Sequence, residues 1–110
     1  MNNREVALDF VRHFCAGDLQ GLEALLADHF KFSGPLHQFD TREGYLKALR
    51  DEPPEPGEYR IDSVTDDGHE VAVFYDYIKS DRRLPVAQLF RLVDGKIAEI
   101  QLLFDGRGFS

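Results

Sequence analysis

Residues 84–104 read LPVAQLFRLVDGKIAEIQLLF, two apolar runs separated by the dipeptide Asp94-Gly95. An Asp-Gly pair between two such runs strongly favours a β-hairpin, because both residues accept the positive φ angles of a type I′ turn. A two-residue turn sets the register of the two strands and pairs Leu89 with Ile100. The stretch therefore predicts a long antiparallel hairpin near the end of the chain.

This register gives the hairpin two faces. The more uniformly apolar face should meet the helices, and it consists of Ala87, Leu89, Ala98, Ile100, Leu102 and Phe104. The outer face contains Leu84, Val86, Phe90, Leu92, Ile97 and Leu103, together with Gln88, Glu99 and Gln101. A sheet face that contacts water is usually more polar than this. We therefore expect a homodimer through the outer face, with ordinary exposed apolar surface as the alternative.

The first half of the chain has the period of helices. Apolar residues recur every four positions from Val6 to Phe14, which predicts an amphipathic helix. Gly17 fits the left-handed position that ends a helix, and Asp18 can cap the start of a second one. Asp40, with a glutamate three residues later, resembles a capping box and predicts the start of a third helix.

From Tyr59 the pattern changes to the period of strands. Three prolines between positions 53 and 56 end the third helix and predict an extended acidic connector. Alternating runs predict strands at 59–64, 70–79, 84–93 and 96–104, after a short one at 30–34. Three N-terminal helices packed on a curved antiparallel sheet make an α+β fold, and we expect a single domain over residues 1–110.

Composition and charge exclude several classes of protein. The chain has 110 residues and a formal net charge of −7, all of it carried by the segment 51–70. Because there is no basic stripe, we expect no nucleic-acid partner. No apolar run reaches the length of a membrane span, so we expect no membrane partner. Cys15 is the only cysteine, which rules out an internal disulfide and, with no signal-peptide pattern in the sequence, favours a cytoplasmic location.

Four motifs in order resemble the nuclear transport factor 2-like superfamily. FCAGDLQGL at 14–22 resembles its helix-to-helix joint, and LLADHFKFSGP at 25–35 its first strand. DTREGYL at 40–46 resembles the start of its third helix, and DGKIAEI at 94–100 its closing strand. Within the superfamily the chain is most similar to the SnoaL-like, or polyketide-cyclase-like, proteins. The resemblance implies a cystatin-like cone, in which a bent sheet wraps around the helices, with a pocket at one end and dimers through the outer sheet face.

The resemblance extends to ketosteroid isomerase, whose site combines a carboxylate base with a tyrosine and a protonated aspartic acid. In this chain the matching positions are Gly34, Phe10 and Leu89, none of which can donate or accept the required proton. The acidic position of the cyclases corresponds to Leu102. The resemblance therefore implies a pocket without the catalytic residues of either relative.

Three polar residues are candidates for chemistry in such a pocket. If the turn at 80–83 has four residues, Asp76 pairs with Ala87 on the inner face, where a carboxylate could act as a general base; a different loop length would instead turn it to solvent. Arg91 shares that face and could pair with Asp76 or hold a ligand carboxylate, or it could lie in water at the end of the sheet. His37 lies in the loop at the expected pocket mouth, as an acid or base or as a solvated side chain.

Three functions follow from these expectations. We expect a protein that binds a small apolar or aromatic ligand; the alternatives are an acid/base enzyme of the isomerase, cyclase or hydratase type that uses Asp76 and His37, and a dimerising scaffold without a ligand. The predicted ligand-binding residues are Phe10, Phe14, Phe32, Tyr45, Phe74, Leu89, Arg91, Leu102 and Phe104. No histidine pair has a metal-ligand spacing and no glycine loop fits a phosphate, so we expect neither metal nor cofactor.

Overall fold

The computed structural model describes residues 2–105, which form three helices and six strands. The helices are α1 (Asn3–Ala16), α2 (Leu19–Leu25) and α3 (Arg42–Asp51). The strands are β1 (Leu26–Ser33), β2 (Gln38–Phe39), β3 (Glu58–Asp66), β4 (Glu70–Lys79), β5 (Arg82–Val93) and β6 (Lys96–Leu103). They form one mixed sheet in the order β2-β1-β6-β5-β4-β3, in which only β1 and β6 are parallel neighbours. This confirms the predicted α+β class, with helices ahead of a long antiparallel meander.

Short polar side chains begin the helices, and a glycine ends the first. Gly17 has φ 72° at the end of α1, and the Asp18 carboxylate accepts a hydrogen bond from the Gly21 backbone N–H at 3.0 Å, as predicted. For α3 the predicted cap, Asp40, is wrong by one residue. The Thr41 hydroxyl accepts from the N–H three residues later, also at 3.0 Å. Both residues carry a suitable oxygen, and the chain enters the helix at the second of them.

The hairpin turn forms as predicted, but the strands beyond it do not keep the simple register. Asp94 and Gly95 have φ of 51° and 77°, and Leu92 pairs with Ile97. A β-bulge follows at Ala98, so that the next pairs run one residue out of step with the prediction. One extra residue in β6 shifts the register by one, so that each side chain of β5 lies on the other side of the sheet from the predicted one.

The bulge therefore reverses β5. Its inner, buried side chains are Val86, Gln88, Phe90 and Leu92, and its outer ones include Ala87, Leu89 and Arg91. The prediction that Ala87 and Leu89 face the helices is wrong. Both faces of this strand are apolar, so alternation alone did not select between them. On β6 the inner residues Ile100 and Leu102 are those predicted.

The core lies between α1 and the inner face of the sheet, and α3 closes the opposite end over β1 and β2. The Phe10 ring of α1 meets the edge of Phe90 with 5.4 Å between ring centroids. On the other side, the Tyr45 ring of α3 lies 5.0 Å from the rings of both Phe30 and Phe32 of β1. These two groups of aromatic side chains fix the separation of the helices from the sheet.

The acidic connector between α3 and β3, residues 52–57, contains neither helix nor strand and is fastened to the rest of the fold. The Gly57 N–H donates to the carbonyl oxygen of Cys15 at 2.9 Å. The Tyr77 hydroxyl of β4 donates to the carbonyl oxygen of Glu55, whose carboxylate also pairs with Lys79. These contacts attach the connector to the end of α1 and to β4.

Candidate functional site

A cavity of about 510 Å³ lies between α3, the segment 34–39 and the inner face of β4 to β6. Its walls are mainly aromatic and aliphatic: Phe14, Phe32, Phe39, Tyr45, Leu49, Leu102 and Phe104. Pro35 and Leu36 belong to the loop between β1 and β2 that forms one edge. The separation of α3 from the central strands leaves this space unfilled, and it has the size and apolar character of ligand pockets, which measure about 300–1,000 Å³.

A buried polar pair, Tyr75 and Gln88, lines the cavity from two adjacent strands, β4 and β5. Their residues are only 4% and 5% exposed, and the tyrosine hydroxyl donates to the Gln88 side-chain oxygen at 2.7 Å. Burial raises the pKa of Tyr75, so the hydroxyl stays protonated and remains a donor. The amide nitrogen of Gln88 can only donate. The pair therefore provides a hydrogen-bond donor among otherwise apolar walls.

Three ionisable side chains, His37, Asp51 and Glu52, lie at the exposed edge of the cavity. The His37 ring stacks on Phe39 with 6.0 Å between centroids, and its backbone carbonyl accepts from the Gly34 N–H at 2.9 Å. Asp51 and Glu52 end α3 and begin the connector. No lysine or arginine occurs among the described residues that line the cavity.

Six of the predicted site residues line this cavity. They are Phe14, Phe32, His37, Tyr45, Leu102 and Phe104. Phe10 lies deeper in the core against Phe90 and does not reach it. The remaining four, Phe74, Asp76, Leu89 and Arg91, lie on the outer face of the sheet.

The structure places Asp76 on the side of the sheet opposite the cavity, which corrects the predicted inward direction. The turn after β4 has two residues, not four, so Asp76 pairs with Pro85. Pro85 and the predicted partner, Ala87, lie on the same face of β5, so turn length does not explain the difference. The bulge at Ala98 does, because it turned that face outward. The Asp76 carboxylate, whose side chain is 9% exposed, lies 3.4 Å from the guanidinium of Arg83.

Arg91 also has its partners on the outer face. Its guanidinium lies 2.8 Å from the Glu99 carboxylate and 3.6 Å from that of Glu70. These three residues are direct neighbours across β4, β5 and β6. The predicted pairing of Arg91 with Asp76 does not occur, since the residue opposite Arg91 is Glu70 and Asp76 lies six residues further along β4.

Sequence reasoning missed Phe39, Leu49, Tyr75 and Gln88 as cavity residues. Gln88 was expected on the outer face together with Val86 and Phe90, and the bulge turned all three inward. The sequence does contain a sign of Gln88, because it is a single amide that alternates with the apolar residues Val86, Phe90 and Leu92, and buried amides are uncommon. Only the register shows that this set of residues faces inward.

The described part of the chain has neither a membrane-spanning helix nor a cluster of metal ligands. No helix in residues 2–105 has the length and apolar character needed to cross a membrane. No three histidine, cysteine, aspartate or glutamate side chains in the same part of the chain are grouped so that they could hold a metal ion.

Comparison with known proteins identifies the family. The model of the SnoaL-like domain matches residues 7–100, and the chain belongs to this family, as its motifs predicted. None of the curated proteins compared with it matches.

Solved structures share the fold. A nuclear transport factor 2-like protein of unknown function from Cytophaga hutchinsonii is 20% identical, with 99% of this chain and 95% of that chain covered and a TM-score of 0.83. A Kribbella flavida protein provisionally assigned as a ketosteroid isomerase is 21% identical, with 93% and 76% covered and a TM-score of 0.79. An LEH-like epoxide hydrolase from M. tuberculosis is 19% identical, with 94% and 83% covered and a TM-score of 0.78. At these identities the likeness concerns the fold alone.

Proposed function

We propose that this SnoaL-like domain binds a small apolar or aromatic ligand in the cavity. The observation that carries the proposal is the open volume of about 510 Å³, walled by aromatic side chains, with a buried hydrogen-bonding pair in its lining. A scaffold without a ligand would use the same rings to fill the space. Burying an aromatic ligand among Phe14, Phe32, Tyr45 and Phe104 removes apolar surface from water on both sides of the contact.

The ligand has an oxygen that accepts a hydrogen bond from Gln88. Gln88 lines the cavity and its side-chain oxygen is already engaged by Tyr75, so the amide nitrogen is the atom it can offer to a ligand. A carbonyl or hydroxyl oxygen on the ligand gives the amide nitrogen its acceptor. This favours an oxygenated aromatic compound over a pure hydrocarbon.

The proposal is binding rather than acid/base catalysis by the predicted couple. Asp76 and His37 lie on opposite sides of the sheet, and only His37 borders the cavity. One substrate in the cavity therefore cannot contact both.

We also propose that two copies associate through the outer sheet face. Phe74, Ala87 and Leu103 are direct neighbours across β4, β5 and β6, and the two outer members are 47% and 57% exposed. A twofold axis parallel to β5 over Ala87 brings Phe74 of one copy opposite Leu103 of the other. The ion pairs of Arg91 with Glu70 and Glu99 lie two rows further along the same face, beyond Leu89, where they form a polar margin like those around the centre of many interfaces. A cytoplasmic location and a single domain remain predictions.

A fluorescence titration with Prodan tests ligand binding. Prodan is a neutral aromatic ketone whose emission rises and shifts in apolar surroundings. Ala48 lines the cavity from α3, whereas Ala24 of α2 is exposed and away from it. We expect Ala48→Phe to weaken binding at least about tenfold by occupying the space, and Ala24→Phe to leave it unchanged. Equal affinities of both variants and the parent protein, or no binding to any of them, would refute the proposed site.

A further inference from the structure

The charged groups around the cavity are all acidic apart from one histidine. Asp51 and Glu52 border its entrance, and none of the cavity-lining residues in 2–105 is a lysine or arginine. Asp51 is partly neutralised, because its carboxylate lies 2.6 Å from the ammonium of Lys47. Glu52 has no ion-pair partner among the described residues. The entrance therefore has an uncompensated negative charge next to an aromatic interior.

The end of α3 adds to this charge. Ala48, Leu49, Asp51 and Glu52 all line the cavity, so the C-terminal turn of a ten-residue helix lies at the entrance. The C-terminal end of a helix has a partial negative charge from its unpaired carbonyl groups. The Ala48 carbonyl is an exception, since it accepts from the Glu52 N–H at 3.0 Å. The end of the helix and the two carboxylates both favour a positive charge at the entrance.

The walls of the cavity also suit a cation. Aromatic faces attract ammonium groups through their negative π-surface, and Phe14, Phe39 and Phe104 are among the residues that line the cavity. An anionic ligand would instead meet two carboxylates, a helix C-terminus and aromatic faces; the nearby positive groups are His37 and the Lys47 ammonium, which is already paired with Asp51.

We infer that the cavity selects an aromatic ligand that carries a protonated amine, and rejects aromatic carboxylates. The ammonium group lies at the entrance near Glu52, and the aromatic body fills the apolar interior. This inference rests on the proposed function, since it specifies the chemical class of the same ligand. According to this inference Glu52 acts on charged ligands, whereas the binding of neutral compounds depends on the cavity walls and on Gln88.

Three methoxynaphthalene probes of nearly equal size test the inference, each with an ether oxygen that can accept from Gln88 and with an aminomethyl, a hydroxymethyl or a carboxylate group at the far end of the ring system. The chain has no tryptophan, so naphthalene emission can be followed directly. At about pH 8 the amine of the probe is protonated and charged. We expect the amine to bind about three- to fivefold more tightly than the alcohol in low salt, and the carboxylate to bind most weakly. Raising the salt to about 0.5 M should remove most of the difference between amine and alcohol.

Glu52→Gln should remove most of the preference for the amine, because it deletes the one carboxylate at the entrance that has no ion-pair partner in the described part of the chain. The matched control is Glu58→Gln, which removes the same charge from an exposed glutamate that does not line the cavity. We expect it to retain the preference. If the alcohol binds and the amine binds no better, or if both variants lose the preference equally, the inference is wrong while the proposed function stands. If none of the probes binds, the proposed function itself fails and the inference falls with it.

Discussion

The hydrogen bond between Tyr75 and Gln88 can be tested by removing its two ends separately and together. Tyr75→Phe deletes only the hydroxyl, and Gln88→Leu replaces the amide by an apolar group of similar size. Each single change leaves one buried polar group without its partner, which costs about 1–3 kcal/mol. Both residues are at least nine-tenths buried and their polar atoms lie 2.7 Å apart. Because the cavity can admit water to the surviving group, we expect the lower part of that range, about 1–2 kcal/mol.

The double variant distinguishes a hydrogen bond from general damage to the core. With both polar groups gone, nothing buried is left unpaired, so its stability should lie close to that of the parent protein, within about 1 kcal/mol. The free energy of unfolding is measured by urea titration of all four proteins under the same conditions. If the two single losses simply add in the double variant, the two side chains do not interact and the polar lining of the cavity is incorrectly described. Single losses below about 0.5 kcal/mol would lead to the same conclusion.

Two further predictions concern the outer face and the buried thiol. Sedimentation velocity should show a dimer for the parent protein and a monomer for Phe74→Lys, because burying a charge in the apolar row is costly. The control Lys79→Ala, at the end of the same strand, should remain a dimer. A monomeric parent protein would contradict the proposed interface. Burial raises the pKa of Cys15 to about 11, from 9.0, so this thiol contributes stability that is complete below about pH 9 and is lost as pH rises through the folded value. Urea titrations at neutral and alkaline pH should therefore show a smaller alkaline loss for Cys15→Ala than for the parent protein, and equal losses would show that the thiol does not contribute.

The predictable part of the fold was the part specified by local chemistry. Gly17 ends a helix because it adopts a positive φ, and Asp18 begins the next because its carboxylate reaches unpaired N–H groups. Asp94 and Gly95 form the turn of the closing hairpin for the same kind of reason. Each of these features depends on a few consecutive residues, so the sequence pattern contains the information needed.

The bulge at Ala98 depends on the whole sheet, and for that reason it could not be predicted from the pattern. Both faces of β5 are apolar, so either register buries a reasonable set of side chains. The helices and β1 select the one in which Phe90 packs against Phe10. Phe14 and Tyr45, which the sequence pattern places on the apolar sides of their helices, line the cavity, because the helical period alone sets the direction of these side chains. Gln88 was missed because its direction depends on that single extra residue.

The connector after α3 has a consequence for how a ligand would enter. Its attachments, from Gly57 to Cys15 and from Tyr77 to Glu55, hold one border of the entrance against α1 and β4. The prolines in the same segment restrict its backbone further. The loop that carries Leu36, which is 53% exposed, also lines the cavity. We therefore expect a ligand to exchange with solvent by movement of that loop, while the acidic border of the entrance stays in place.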